Sequence, residues 1–258
     1  MSCPETFSLL AASSLAGLVN AVAGGGTLVT FPVLLAFGVP PVVANATSTL
    51  SLVAGNIGSI YGYRNFLGEL KPWLKTFVPA SMAGGWIGSY LLTCGGEKVF
   101  SGLVPYLVLF ATLLFMLQGI LSRSFAGCRE ISQEASTRAS QFRVALLFQF
   151  LVSVYGGYFG AGIGILMLAT LGFLGFEDIH RMNSLKSVLG SIINLVAAAW
   201  FTASGLIDWP RMGLMTLGAF AGYYVGATCS QMVPQKTVRH IISAIGLIIS
   251  VAMFWRLR

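Results

Sequence analysis

Asn20-Ala21-Val22-Ala23-Gly24-Gly25-Gly26-Thr27 interrupts an apolar stretch that runs from about residue 7 to residue 38. A single helix crosses a bilayer with about 20 apolar residues. A stretch this long, with three glycines in its middle, reads as two half-helices joined by non-helical backbone. The same interruption recurs at Gly156-Gly157-Tyr158-Phe159-Gly160-Ala161-Gly162-Ile163-Gly164, inside an apolar stretch over 142–176.

The recurrence extends beyond the glycines. Shifting the chain by 138 positions brings Ala23, Gly24 and Gly26 onto Ala161, Gly162 and Gly164. It also brings Asn45 and Asn56 onto Asn183 and Asn194, Pro72 onto Pro210, Ala83-Gly84 onto Ala221-Gly222, Gly88 onto Gly226 and Lys98 onto Lys236. Small residues coincide often in membrane helices. Two asparagines, a proline and a lysine at one constant shift imply an internal repeat. The organisation expected is a first membrane repeat over 1–122, a polar linker loop over 123–142 and a second membrane repeat over 143–258. Further apolar stretches over 42–63, 76–93, 99–121, 187–207, 212–233 and 237–255 bring the total to about eight helical segments.

Composition sets the class. The chain has 258 residues, 56% of them hydrophobic and only 9% charged, with mean hydropathy +0.82. Soluble domains carry about 25% charged residues. Backbone in lipid must satisfy itself, which leaves helices or a closed barrel, and stretches that are apolar all round exclude the alternating strands of a barrel. The expectation is an all-α polytopic, multi-pass membrane protein. The net charge of +7 fits Lys- and Arg-rich cytoplasmic loops, and no basic-aromatic module suggests a nucleic-acid partner. The N-terminus lacks the positive segment of a secretory signal, so the first apolar stretch reads as part of the mature protein.

Whether the repeats run parallel or inverted depends on the broken stretches. If each is a re-entrant hairpin, three full crossings remain per repeat and the second repeat is inverted. If each spans, there are four crossings and the repeats run parallel. Lys and Arg divide 11 against 4 between the two sides in the hairpin arrangement and 10 against 5 in the other, so charge barely separates them. Broken helices and inverted-topology repeats often occur together in transporters, which favours inversion.

Polar residues inside the apolar stretches carry the chemistry. Asn45, Ser48, Thr49 and Asn56 share one helical face by spacing, and Asn183, Lys186, Ser187 and Asn194 repeat that face. They could line a cavity or serve as hydrogen-bonding glue between helices. Lys186 stands where the first repeat has Ser48. An intramembrane charge usually faces a pathway, and a mobile anion could be its partner; the alternative is a lysine that snorkels to the interface. An interrupted helix also exposes N–H groups at the start of its second half, where the dipole favours anions. Gly24, Gly25, Gly26 and Thr27 would form one such end, and Gly160, Gly162 and Gly164 the other, unless the glycines serve close packing. Gly84, Gly88, Gly222 and Gly226 form GxxxG pairs and read as packing. His180 and His240 have no nucleophile nearby, and no GxSxG, HExxH or Walker motif occurs. No enzyme, metal site or cofactor is expected, and energy would come from a gradient.

The order Asn20-Ala-Val-Ala-Gly24-Gly-Gly26-Thr27 followed by Ala44-Asn-Ala-Thr-Ser48 resembles the TauE/SafE family of sulfite exporter-like permeases. The likeness covers nearly the whole chain and its duplicated organisation. The second half departs from the first at Tyr158–Gly164 and at Glu177-Asp178-Ile-His-Arg181. The resemblance implies a multi-pass protein of a bacterial or archaeal inner membrane that moves sulfite, sulfonates or related sulfur anions, and it adds Asn20 to the candidate substrate-binding residues. The function expected is a gradient-driven carrier whose anion binds near the midplane between repeats. An anion channel and a membrane structural subunit without flux are the alternatives. Expected partners are the small anion, the lipid bilayer, a coupling proton or sodium ion, and a second copy in a homodimer.

Overall fold

The computed structural model describes residues 3–22, 25–62, 67–126, 135–174, 176, 179–229 and 235–256. Among them there are nine helices: α1 Cys3–Val22, α2 Thr27–Ala36, α3 Pro41–Gly62, α4 Leu67–Ala126, α5 Ala135–Tyr158, α6 Ile163–Phe173, α7 Ile179–Ala203, α8 Trp209–Cys229 and α9 Gln235–Arg256. Helix α4 bends at Gly96, whose φ of 69° departs from the helical range, so its arms 67–95 and 97–126 are two crossings. Helix takes up both ends of the polar segment 123–142; residues 127–134 of that segment lie outside the described residues.

Helix α2 does not continue α1. It turns back along it, so that Gly26 lies against the backbone of Ala16. At 1.5 Å per residue α1 is about 30 Å long and α2 about 15 Å, so the pair forms a hairpin with its tip at the broken glycines. The far end of α2 is closed by Gly38, at φ +76°. Its N–H bonds Leu35 O at 3.0 Å and the Val39 N–H bonds Leu34 O at 3.1 Å. This is a Schellman closure, which requires the left-handed conformation that glycine adopts without penalty. Pro40 follows and α3 starts. Helices α5 and α6 make the corresponding turn, with Gly156 against the Ile163 side chain and Val152, Ile163, Met167 and Leu171 in one buried cluster.

Two seams of small residues set the helix directions. Along α1 and α8, Gly218 meets Leu10 and Ser13, Gly222 meets Ser14, and Gly226 meets Leu18 and Ala21. The registers advance together, so these helices are parallel. Helix α3 joins them in the same sense: the Asp208 N–H donates to Thr47 Oγ1 at 3.1 Å and Ser51 Oγ to Met212 O at 3.3 Å. The first arm of α4 runs parallel to α5, with Gly84 against Phe150 and Ser153 and Gly88 against Val154 and Tyr158. It also runs parallel to α7, where Gly85 faces Ile193 and Trp200 Nε1 donates to Thr93 Oγ1 at 3.1 Å. The two groups oppose each other. The start of α3 meets the end of α4's first arm, where the Val42 N–H donates to Glu97 Oε1 at 3.0 Å.

At the end where α1, α3 and α8 begin, Arg211 bridges Glu5, Nη2 to Oε1 at 2.7 Å, and also pairs with Asp208. Just inside lies the main buried cluster. Phe31, Phe100 and Phe159, each at most 1% exposed, meet edge to face with centroids 5.4 Å apart for Phe31–Phe159 and 6.2 Å for Phe31–Phe100. The outward faces carry Leu103, Tyr106, Leu147, Leu217, Phe220 and Ile248, all exposed. Large apolar side chains on the outside of a helical bundle suit lipid.

Candidate functional site

The two hairpin tips and the middles of α3 and α7 surround a cavity of about 90 Å³. A water molecule needs about 10–15 Å³ on this measure, so the space holds several waters or one small ion. Asn20, Gly25 and Thr27 line it from the first hairpin, Thr49 and Leu52 from α3, Gly160, Ile163 and Gly164 from the second hairpin, Lys186, Ser187, Gly190 and Asn194 from α7, and Tyr223 from α8.

Lys186 supplies the positive charge. Its stem lies over Gly164, where a Cβ would come within 3.2 Å of Lys186 Cδ; the missing side chain makes room for the lysine to cross the tip. Among the described residues no carboxylate pairs with it, the two ion pairs being those of Arg211. Glu177 and Asp178 lie outside the described residues. Ser187, Thr27 and the Asn194 amide add polar groups around the same space.

The first hairpin tip is held differently from the expectation. Asn20 Oδ1 accepts both the Gly25 and the Gly26 N–H, each at 2.7 Å. The N–H groups expected to face an anion are thus already taken by a side chain of the preceding helix. Leu28 N–H and Val29 N–H turn back to Gly25 O and Gly26 O. Asn20 is held in turn by Tyr223, its Nδ2 donating to the Tyr223 hydroxyl at 3.0 Å. Tyr223 lines the cavity, and accepting from Asn20 leaves its hydroxyl proton available to an acceptor there. The second tip uses another tie, Tyr155 Oη donating to Ala161 O at 2.8 Å. Gly162, left-handed at φ +79°, caps α6 and is packed against Leu114 and Ala111.

Of the remaining expected residues, Ser48, Asn45 and Asn183 lie off the cavity. Ser48 is fully buried and shares a 2.6 Å hydrogen bond with Thr30. Thr30 Oγ1 also lies 3.2 Å from Gly26 O, so the face of Ser48 is bound up with α2 rather than exposed to the space. Asn45 is 1% exposed and reaches across to α5, Nδ2 donating to Tyr158 O at 3.2 Å. Among the described residues its Oδ1 finds no hydrogen-bond donor. A buried amide oxygen left bare costs about 1–3 kcal/mol. Asn183 is partly buried and does not line the cavity. Gly24 and the side chain of Asn56 lie outside the described residues. Tyr223 was not among the sequence candidates. It follows a packing glycine in α8, and nothing in its local pattern separates it from an ordinary aromatic of a membrane helix.

Comparison with known proteins finds relatives named as membrane transporters. The chain is 26% identical over 242 residues to a "Probable membrane transporter protein" of Haemophilus influenzae, an overlap of 93% of this chain and 91% of the relative. It is 28% identical over 252 residues to "Probable membrane transporter protein ORF9" of a Sinorhizobium species, covering 96% and 90%. With "Probable membrane transporter protein YfcA" of Escherichia coli K12 it shares 26% identity over 243 residues, covering 93% and 86%. No solved structure matches the chain. The sequence pattern described as "Sulfite exporter TauE/SafE" matches residues 9–253, a family of membrane permeases rather than enzymes. An all-helical, multi-pass membrane protein with this pattern over nearly its whole length belongs to the sulfite exporter TauE/SafE family.

Proposed function

We propose that the protein is a gradient-driven secondary transporter of small sulfur-containing anions, with the anion held in the cavity between the hairpin tips. The observation that carries this reading is Lys186, a cation inside the membrane that lines a cavity and has no acidic partner among the described residues. A charge so placed is costly unless something of opposite sign visits it. The size of the cavity suits a small oxyanion, and the family's name supplies sulfite as the first candidate.

We read the fold as two inverted repeats. Supporting this, α3 and α7 begin at Pro41 and Ile179, 138 positions apart, which is the shift that aligns the sequence. Counterpart helices also run in opposite senses: α1 against α5, α3 against α7, and the first arm of α4 against α8. In this reading each hairpin returns to the side from which it entered, which the shared sense of α1 and α3 supports, so three crossings remain per repeat. The cavity lies between the repeats, and alternating access would rock one repeat's elements past the other's.

The test is uptake of radiolabelled sulfite into proteoliposomes, with sulfoacetate and thiosulfate as competitors. Saturable uptake with trans-stimulation is the expected result. Flux that stays linear in concentration would instead indicate a channel, and no flux of any sulfur anion from folded protein would overturn the sulfur-anion reading in favour of another substrate or a structural role. In the same assay Tyr223→Phe is expected to raise the KM about tenfold. It removes a hydroxyl that lines the cavity and holds Asn20, a loss of about 1–1.5 kcal/mol. An unchanged KM would remove Tyr223 from the site.

A further inference from the structure

Asn45 has a feature that the anion site does not use. It is buried inside the membrane at the point where α3 crosses the end of α5, its Nδ2 is committed to Tyr158 O, and among the described residues its Oδ1 faces no donor. Buried serine hydroxyls without a partner can rotate onto a carbonyl of their own helix turn. An amide whose NH₂ is already anchored cannot turn its oxygen away.

The surroundings are rich in oxygen and poor in protons. Helix α5 ends there, and the Phe159 and Gly160 N–H groups both turn back to Tyr155 O, at 2.9 and 3.2 Å. Among the described residues no backbone N–H then reaches the carbonyls of Gly156, Gly157 or Tyr158. Gly156 O and Asn194 Oδ1 flank Gly160, where a Cβ would lie 3.0 and 3.7 Å from them. A helix C-terminus carries partial negative charge, and bare carbonyls at a broken helix end are the groups that coordinate alkali ions in membrane carriers. The oxygens are all neutral. Divalent cations usually draw on carboxylates, so a neutral set suits a monovalent ion.

We propose that Asn45 Oδ1, with the carbonyls that the end of α5 leaves without a backbone N–H, binds a sodium ion that travels with the anion; Tyr158 O, which accepts the Asn45 amide, keeps a second lone pair for it. Asn45 is one helical turn from Thr49, which lines the anion cavity, so the two charges would sit side by side and neutralise each other in the membrane. Binding of the cation would also tie α3 of the first repeat to the second hairpin. The assignment rests on the reading of the cavity as an anion site, and its test separates the two.

Sulfite uptake is measured with an inward sodium gradient, with N-methylglucamine in place of sodium, and with a pH gradient alone. Binding of ²²Na⁺ to purified detergent-solubilised protein is measured in parallel without any anion. Sodium is expected to raise uptake at least tenfold over N-methylglucamine. Asn45→Ala is expected to raise the sodium concentration for half-maximal uptake and for ²²Na⁺ binding at least tenfold. Asn45→Asp keeps an oxygen at that atom and adds charge, so it is expected to lower that concentration for ²²Na⁺ binding; it serves if the alanine variant fails to fold. Uptake that a pH gradient drives equally well without sodium, with no ²²Na⁺ bound, overturns the cation site and leaves the anion site standing. Sodium binding that both variants leave unchanged also overturns it. If no anion moves under any gradient, the transport reading fails, and ²²Na⁺ binding sensitive to Asn45 still upholds the cation site.

Discussion

Lys186→Met is expected to lower kcat/KM for anion uptake about a hundredfold while leaving the unliganded protein as stable as the wild type or more so. The two halves of this expectation have one cause. Without a carboxylate partner among the described residues, the ammonium contributes nothing to the resting fold that would offset its desolvation, and methionine fills the space over Gly164 with a stem of similar length. Removing it therefore relieves a cost. For the anion the same change removes the one charge among the described lining residues, and losing one member of a buried charge pair costs about 2–5 kcal/mol, or roughly a hundredfold at 2.7 kcal/mol. Uptake measured beside a thermal melt in detergent gives both numbers. Flux within threefold of wild type would remove Lys186 from the transport path. Equal losses of flux and melting temperature would mean that the lysine holds the fold together.

The second large effect is structural. Gly222→Ala is expected to lower the melting temperature sharply, because the new Cβ would press into the Ser14 carbonyl oxygen of α1. A backbone atom cannot rotate aside; the two helices must separate along the seam. Overpacking of this kind costs about 1–3 kcal/mol and sometimes more, and here it also disturbs the neighbouring contacts at Gly218 and Gly226. Gly213→Ala, on the same helix, is the control: nothing lies within 4 Å of its Cβ position, and alanine is the better helix former by about 1 kcal/mol. The two substitutions should move the melting temperature in opposite directions. A neutral Gly222→Ala would mean that α1 and α8 do not meet as described.

Much of this arrangement was legible in the sequence because it depends on patterns that survive without neighbours. The apolar stretch over 42–63 became α3, Pro41–Gly62, and the gap between the stretches 76–93 and 99–121 holds the bend at Gly96. Lys186 stood out because a charge in an apolar stretch needs a reason, and it lines the cavity. Asn194 had been marked by its helical face and lines it too. What could not be read was which partner each polar group takes. Asn20 closes on Gly25 and Gly26, and Ser48 closes on Thr30. Spacing along one helix cannot say whether a group faces open space or a second helix that supplies its hydrogen bond. Tyr223 reaches Asn20 across 203 residues of chain, a distance over which no local pattern operates.

That same separation has a consequence for how the chain is made. The first hairpin docks on α8, through Tyr223 to Asn20 and through Arg211 to Glu5, 206 residues later. At about 5–20 residues synthesised per second, α1 waits roughly 10–40 s before its partner leaves the ribosome. During that time the groove of Ser14, Gly17 and Leu18 faces lipid or an insertion factor, and the Arg211 that later bridges Glu5 is not yet made. A chain cut short before Trp209 would keep its first repeat and still leave that groove open. The last fifth of the protein, from Trp209 on, thus supplies the surface on which the first hairpin settles.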